Sequence, residues 1–137
     1  MEDDIYTAGL FDGEGTVTLA TAKGKFRYPV VSVSSTTHSL LEFLQNTYGG
    51  HISKHKTYKD HHLPSWSWKA THDAALFFLE RILPYLKEPK KQRRALLLTQ
   101  KYKKVTRRNG KYSKEQLREK VVFEQQFFHP SSTYVAT

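Results

Sequence analysis

The apolar positions of this 137-residue chain change period several times, and each change marks an element. From about Asp4 to Phe11 they recur at helical spacing, with Asp3 or Asp4 placed as an N-cap. Gly13-Glu14-Gly15 then suits a helix end turning into extended chain. Residues 16–22 alternate and are rich in Thr and Val, which predicts a strand. Lys23-Gly24-Lys25 is a turn, and a second strand follows from about Phe26 to Ser35. Thr36 and Thr37 are positioned to cap a helix with the stripe Leu40, Leu41 and Leu44, ending at Gly49-Gly50. Two more strands are expected near 51–58 and 65–71, joined by a polar loop with Asp60, His61, His62 and Pro64. His72 or Asp73 starts an apolar helix through Ala75, Leu76, Phe78, Leu79, Ile82 and Leu83. Pro84 and Pro89 interrupt it before a basic helix from about Lys90 to Lys104. After a turn at 107–111, Ser113 and Gln116 form a capping box for a last helix to about Phe127. The tail after Pro130 is expected to be loose.

Helix, hairpin, helix, hairpin, helices is the order of an α+β domain with a four-stranded antiparallel sheet. The whole chain is expected to form one domain, with its core over about residues 4–105. An antiparallel sheet covers one face and leaves the other free. Val17, Leu19, Val31, Val33, Ile52, Trp66 and Trp68 fall on the covered face. Thr16, Thr18, Tyr28, Ser32, Ser34, Ser53, His55, Ser65, Ser67 and Lys69 fall on the free one. This second set hydrogen-bonds and is short enough to sit against base edges in a major groove. An ordinary solvated sheet face has the same composition.

Charge narrows the choice of partner. Lys and Arg number 22 against 13 Asp and Glu, a net charge of +9, which favours a polyanion, with nucleic acid ahead of membrane or acidic protein. No run of about 18 apolar residues is present to span a membrane. The acidic start (Glu2, Asp3, Asp4) is unlike a signal peptide, so an intracellular protein is expected. Without cysteine there is no disulfide and no thiolate metal site. His51, His55, His61 and His62 lack zinc-ligand spacing; His51 and His55 share a strand face and suit phosphate or base edges. Lys90, Lys91, Arg93, Arg94, Lys101, Lys103 and Lys104 cluster on the basic helix. They suit phosphate contact, alone or in RNA, though part of the run is a solvated face over Leu96, Leu97 and Leu98.

The candidate chemistry sits at the first helix. Gly9 and Gly13 are four apart, so they share a helix face and strip it of side chains, and two such helices can approach closely. Glu14 would then lie beside its counterpart from a second copy. Two carboxylates held together call for positive charge between them, for which a divalent metal is the natural candidate. A helix with a glycine-rich end and a solvated acid accounts for the same residues.

Thr7-Ala8-Gly9-Leu10-Phe11-Asp12-Gly13-Glu14-Gly15 resembles the signature of the LAGLIDADG homing endonucleases, with Thr7 for the first Leu, Phe11 for Ile, Gly13 for Ala and Glu14 for the last Asp. The likeness extends to the α-β-β-α-β-β-α order over about 4–105, to Gly49-Gly50, to Trp66 and Trp68, and to Pro84-Tyr85-Leu86 followed by Lys90-Lys91. Residues 106–137 resemble only the family's variable C-terminal helices. The resemblance implies a saddle-shaped sheet with helices on one face, and an enzyme that hydrolyses both strands of a double-stranded DNA target.

It also implies roles. Glu14 would bind the metal with the main-chain carbonyl of Gly13, and Asp12 belongs with the active site while capping and orienting the paired helices. The residue at the end of the second strand that positions water falls on Ser35, with Ser34 next to it, where the family often carries Asn or Gln. The lysine near the scissile phosphate falls on Lys90, with Lys91 as the alternative. Ala8, Gly9, Asp12 and Gly13 would form the paired-helix interface. The all-oxygen ligand set suits Mg2+, or Mn2+. No second Gly-x-x-Asp-Gly-acid-Gly follows residue 15, so a homodimer with a palindromic or near-palindromic target is implied. The family also includes DNA-binding proteins that no longer cut and maturases that bind intron RNA, and both stand as alternatives.

Overall fold

Alternation of Val and Thr or Ser builds the sheet. In the computed structural model, which describes residues 2–21, 26–56, 63–107 and 110–130, four strands pair. They are β1 (Gly15–Ala20), β2 (Tyr28–Ser35), β3 (His51–Lys54) and β4 (Trp66–Thr71). All neighbours are antiparallel, in the order β1-β2-β4-β3. The helices are α1 (Glu2–Glu14), α2 (His38–Tyr48), α3 (His72–Ile82), α4 (Pro89–Lys101) and α5 (Lys114–Phe128). This is the α+β architecture that the sequence predicts. Among the described residues no helix is long and apolar enough to cross a membrane. The Lys23-Gly24-Lys25 turn, the loop with Asp60, His61 and His62, and the tail from residue 131 lie outside the described residues. The chain forms two compact units, residues 1–95 and 96–137.

In the first unit the register carries the pattern across the sheet. Gly15 pairs with Val33 and Val33 with Trp68, while Val17 pairs with Val31 and Val31 with Ala70. Val17, Val31, Val33, Trp68 and Ala70 are buried together on one face. The ring of Phe78 from α3 is the hub of this core, with centroids 5.4 Å from Phe11, 4.8 Å from Tyr48 and 4.9 Å from Trp68. The Trp68 indole donates to the Gly49 carbonyl at 2.7 Å, so its one polar atom is satisfied. Gly50 beside it has φ +92, and a Cβ there would stand 2.6 Å from the Lys69 carbonyl oxygen; only glycine fits both demands.

The structure corrects several expectations. Asp4 is not an N-cap: it lies within α1, buried, where its carboxylate accepts from the Tyr48 hydroxyl at 2.8 Å and from Arg81 Nε at 3.0 Å. Its partners are 44 and 77 residues away, so no local signal marks them. Trp66 is half-buried rather than core, because it stands at the strand end with its ring edge-on to His38. Ile52, on the outermost strand, is also half-buried. β2 begins at Tyr28 rather than Phe26, and β3 stops at Lys54, although His55 N still donates to Ser65 O. Thr37 occupies the N-cap position of α2 without a side-chain cap bond.

Helix α4 begins one residue before the expected start and ends three before the expected finish, with a 3-10 turn at Lys103–Val105. Glu88 explains the start: its carboxylate accepts from Lys91 N at 2.6 Å, and Pro89 follows it at the first helical position, where no N–H is needed. In the second unit α5 carries the expected capping box. Ser113 Oγ accepts from Gln116 N at 3.1 Å, and Gln116 Oε1 accepts from Ser113 N at 3.0 Å. Lys120 is fully buried there. Its Nζ donates to Thr106 Oγ1 at 2.6 Å and sits 4.5 Å from the Tyr102 ring centre. Burial pushes its pKa down, against the opposing pull of Glu124.

Candidate metal and DNA site

Helix α1 has two unlike faces. Its inner face buries Asp4, Thr7, Ala8 and Phe11 at helical spacing. Ala8, expected at the paired-helix interface, is therefore fully buried within the chain. The outer face carries Gly9 and Gly13, both exposed, beside Ile5 and Tyr6, which are 49% and 54% exposed. A Cβ built on Gly9 or Gly13 meets nothing within 4 Å. Packing among the described residues gives no reason for either glycine, and each costs a helix interior roughly 1 kcal/mol relative to alanine. Gly15 is the opposite case: a Cβ there would lie 2.2 Å from the Phe11 ring, so packing alone demands glycine.

The end of α1 is held by α4 in a reciprocal clamp. Asp12 Oδ2 accepts from Lys87 N and Oδ1 from Glu88 N, each at 3.0 Å, so both carboxylate oxygens serve the start of α4. In return Lys91 Nζ donates to the carbonyls of Phe11 at 3.0 Å and Asp12 at 2.7 Å. A cation at a helix C-terminus satisfies orphan carbonyls and complements the helix dipole. Arg94 adds a bond from Nη1 to the Val17 carbonyl at 2.9 Å, tying α4 to β1. Lys90, the neighbour of Lys91, is exposed and has no hydrogen-bond or ion-pair partner among the described residues. The Glu88-Pro89 start fixes the helix phase that separates the two lysines, and this is the sequence signal that distinguishes them.

Glu14 stands at the tip of α1, exposed and without a hydrogen-bond or ion-pair partner among the described residues. A divalent metal needs several hard oxygen donors. One chain offers the Glu14 carboxylate and main-chain carbonyls such as that of Gly13, because the Asp12 carboxylate is already committed. Among the described residues no group of three or more His, Asp or Glu is placed to hold a metal. The donors of one chain fit a hard cation in kind, and water or further oxygen donors would complete its shell. Ser35 ends β2, the strand that pairs Val33 with Gly15, so it lies beside the α1–β1 junction. Its Oγ accepts from Thr37 N at 2.9 Å, which leaves its proton and one lone pair for other partners.

On the free face the register makes rows. Thr16, Ser32, Lys69 and His51 lie across the sheet in one row, and Ser34, Ser67 and Ser53 in another. Thr16, Ser34, Ser53, His55 and Lys69 are exposed, whereas Thr18, Tyr28, Ser32 and Ser65 are half-buried. Ser67 is buried although it belongs to this face, because neighbouring side chains cover it: its Oγ meets Ser34 Oγ at 2.7 Å and His55 Nε2. Tyr28 stacks on His72 at 4.5 Å between ring centres with 3° between planes; His72 has φ +54 where β4 passes into α3 without a loop.

No family model matches the chain, and no curated protein matches it. Solved structures do. The chain is similar to the homing endonuclease I-CvuI, in complex with the I-CreI target in the presence of magnesium and with the DNA not cleaved. That match has a TM-score of 0.67 and 19% identity, over 92% of this chain and 80% of that one. It is also similar to the archaeal intron-encoded homing endonuclease I-Vdi141I complexed with DNA, with a TM-score of 0.56 and 16% identity over 98% and 89% of the two chains. The LAGLIDADG meganuclease I-CpaMI bound to uncleaved DNA matches at a TM-score of 0.63 and 18% identity; 88% of this chain covers 42% of that one. With this strand order, this sheet and these helices, the chain carries the fold of the LAGLIDADG homing endonucleases.

Proposed function

We propose that two copies of this chain pair through the outer face of α1 and hydrolyse both strands of a palindromic or near-palindromic DNA site with Mg2+ or Mn2+. The observation that carries the proposal is the outer face itself. Two exposed glycines with open space above them, flanked by exposed Ile5 and Tyr6, lead to a carboxylate at the helix tip that has no partner among the described residues. Every structural neighbour described above is a homing endonuclease bound to DNA, which supports a nucleic acid as the partner of the free sheet face.

Each residue then has a task. Glu14 from each copy, with the Gly13 carbonyl, would hold the metal, which supplies positive charge against the scissile phosphate when bound. Asp12 fixes where α4 starts and so where Lys90 and Lys91 stand. Lys91 steadies the end of α1 from within, while the free ammonium of Lys90 is available to phosphate. Ser35 can orient a water with its remaining proton. Thr16, Thr18, Ser32, Ser53 and Lys69 meet the groove, and intron RNA is a second polyanion that the basic surface would suit. A second reading, binding without cutting, draws on Ser35, whose hydroxyl is shorter than an amide side chain and already engaged by Thr37 N.

The test is a library of palindromic duplexes incubated with the purified chain in magnesium, in calcium and in EDTA, with mass measured by sedimentation. Cleavage in magnesium alone, binding in calcium and a dimer mass are expected. A dimer that binds specifically but never cuts under any metal would favour the second reading, and a strict monomer on DNA would overturn the paired site.

A further inference from the structure

One hydrogen-bonded chain on the free face has a logic that separate serines lack. The His55 ring bridges two hydroxyls, with Nδ1 at 2.8 Å from Ser65 Oγ and Nε2 against Ser67 Oγ. Ser67 Oγ also meets Ser34 Oγ at 2.7 Å. Ser67 is 6% exposed and cannot itself touch a base; Ser34 is exposed at the end of the chain. A neutral imidazole has one N–H and one lone pair, and a hydroxyl has a single proton. With the ring neutral and the proton of the buried Ser67 not left stranded, the protons along the chain line up in one of two ways.

If Nδ1 carries the proton, it donates to Ser65, and Nε2 accepts the proton of Ser67. Ser34 must then donate to Ser67, and it faces outward with lone pairs only. If Nε2 carries the proton, it donates to Ser67, Ser67 donates to Ser34, and the Ser34 proton is free to point outward. A lone serine is nearly indifferent between base edges, because its hydroxyl donates or accepts equally well. Here a ring two side chains away decides whether the hydroxyl keeps its proton for the outside.

We propose that Ser34 is a specificity-determining contact of this chain, and that His55, acting through the buried Ser67, sets whether Ser34 can present a donor to a base edge or only lone pairs. The inference rests on the free sheet face being the DNA-binding face, and it names His55 and Ser67 as the residues that position the Ser34 proton. Acceptor-only Ser34 selects an amino group, on adenine or cytosine in the major groove; a Ser34 that keeps its proton also reaches the acceptors there, N7 and O6 of guanine, O4 of thymine and N7 of adenine.

The experiment measures, for the full chain in calcium, relative binding to duplexes carrying each of the four base pairs at every position of the preferred site. Ser34→Ala, His55→Ala and Ser67→Ala are compared, with Ser67→Thr as the variant that restores a hydroxyl. Ser34 and His55 are exposed and Ser67→Ala nearly isosteric, and thermal melting checks that each variant folds. All three alanine variants are expected to lose about three- to tenfold of discrimination at one and the same position, with the others unchanged, and Ser67→Thr to regain it. A uniform loss of affinity with unchanged preferences, or His55→Ala and Ser34→Ala acting at different positions, would overturn the wiring while leaving DNA binding intact. A wild-type chain with no preference among duplexes would remove the DNA-reading face itself.

Discussion

The two faces of α1 share thirteen residues and obey different rules. On the inner face Phe11 packs on Phe78, Asp4 is held by Tyr48 and Arg81, and Ala8 is fully buried. Just past the helix, Gly15 is glycine because the Phe11 ring leaves no room. On the outer face nothing among the described residues requires Gly9, Gly13 or the acid Glu14, and Ile5 and Tyr6 stay about half exposed, Tyr6 with its ring edge-on to Phe43. A glycine explained by its own fold concerns stability, and one that its own fold leaves unexplained points to a second body. The contrast separates two kinds of residue that look alike in sequence.

The sharpest way to probe it is at the tip. Glu14→Gln is expected to lower cleavage by about a hundred- to a thousandfold while leaving binding in calcium intact, measured in single-turnover assays. Cutting at the wild-type rate would move the metal acid elsewhere. Next, Gly15→Ala should destabilise the chain by about 1–3 kcal/mol through overpacking against Phe11, seen as a lower denaturation midpoint. An unchanged midpoint would show that Phe11 has room to move.

The buried end of the inner face makes a prediction of similar size and a defined pH dependence. Burial alone would raise the pKa of Asp4, but its bonds from Tyr48 and Arg81 outweigh burial and hold it below its ordinary 3.8. A carboxylate held low contributes stability that is complete above its unfolded value and lost as pH falls through the folded one. Asp4→Asn is expected to cost on the order of 1.5–3 kcal/mol at neutral pH and to flatten the acid limb of the stability curve. Tyr48 works in the other direction. Burial, with Asp4 beside it, pushes its hydroxyl up to about 12. Its neutral form therefore adds stability below its ordinary 10.0 that is lost as pH rises toward that raised value. Tyr48→Phe should remove this alkaline loss, and an alkaline limb unchanged in that variant would count against it.

Smaller effects test the clamp and the glycines. Asp12→Ala removes two acceptors from the start of α4 and is expected to cost about 1–2 kcal/mol by chemical denaturation, whether or not DNA is present. Gly9→Ala has the opposite sign: about 1 kcal/mol gained by the isolated helix, read from the melting of dilute protein, with weaker self-association by sedimentation. Stability gained with unchanged association would leave Gly9 without a role in pairing.

Much of the fold was legible because its signals are local. Val and Thr alternation in β1, the leucine stripe of α2, the Ser113–Gln116 capping box and the apolar run of α3 each specify their element within about ten residues. The motif from Thr7 to Gly15 marked the site by resemblance, and the helix spacing of Gly9 and Gly13 gave a shared face. The misplacements were long-range. Asp4 has the composition of an N-cap and is a buried ion-pair partner of Arg81; Ser67 has the composition of a surface residue and is covered by Ser34 and His55. Trp66, large and apolar, is left half-exposed by its place at a strand end. No periodicity reports partners 33 or 77 residues away.

What the sequence determined by itself is the order of elements, the two faces of each strand and helix, the basic charge and the acid at the tip of α1. Period, propensity and capping act within a few residues, so they are written in the chain. What only the tertiary structure decided is which polar groups are already spent. Asp12 serves the start of α4 and Lys91 the end of α1, whereas Glu14 and Lys90 have no partner among the described residues, and Ser34 is wired to His55 through Ser67. Such commitments depend on which distant strands and helices meet. A carboxylate or hydroxyl has the same chemistry in the sequence whether its lone pairs are satisfied or waiting for a ligand.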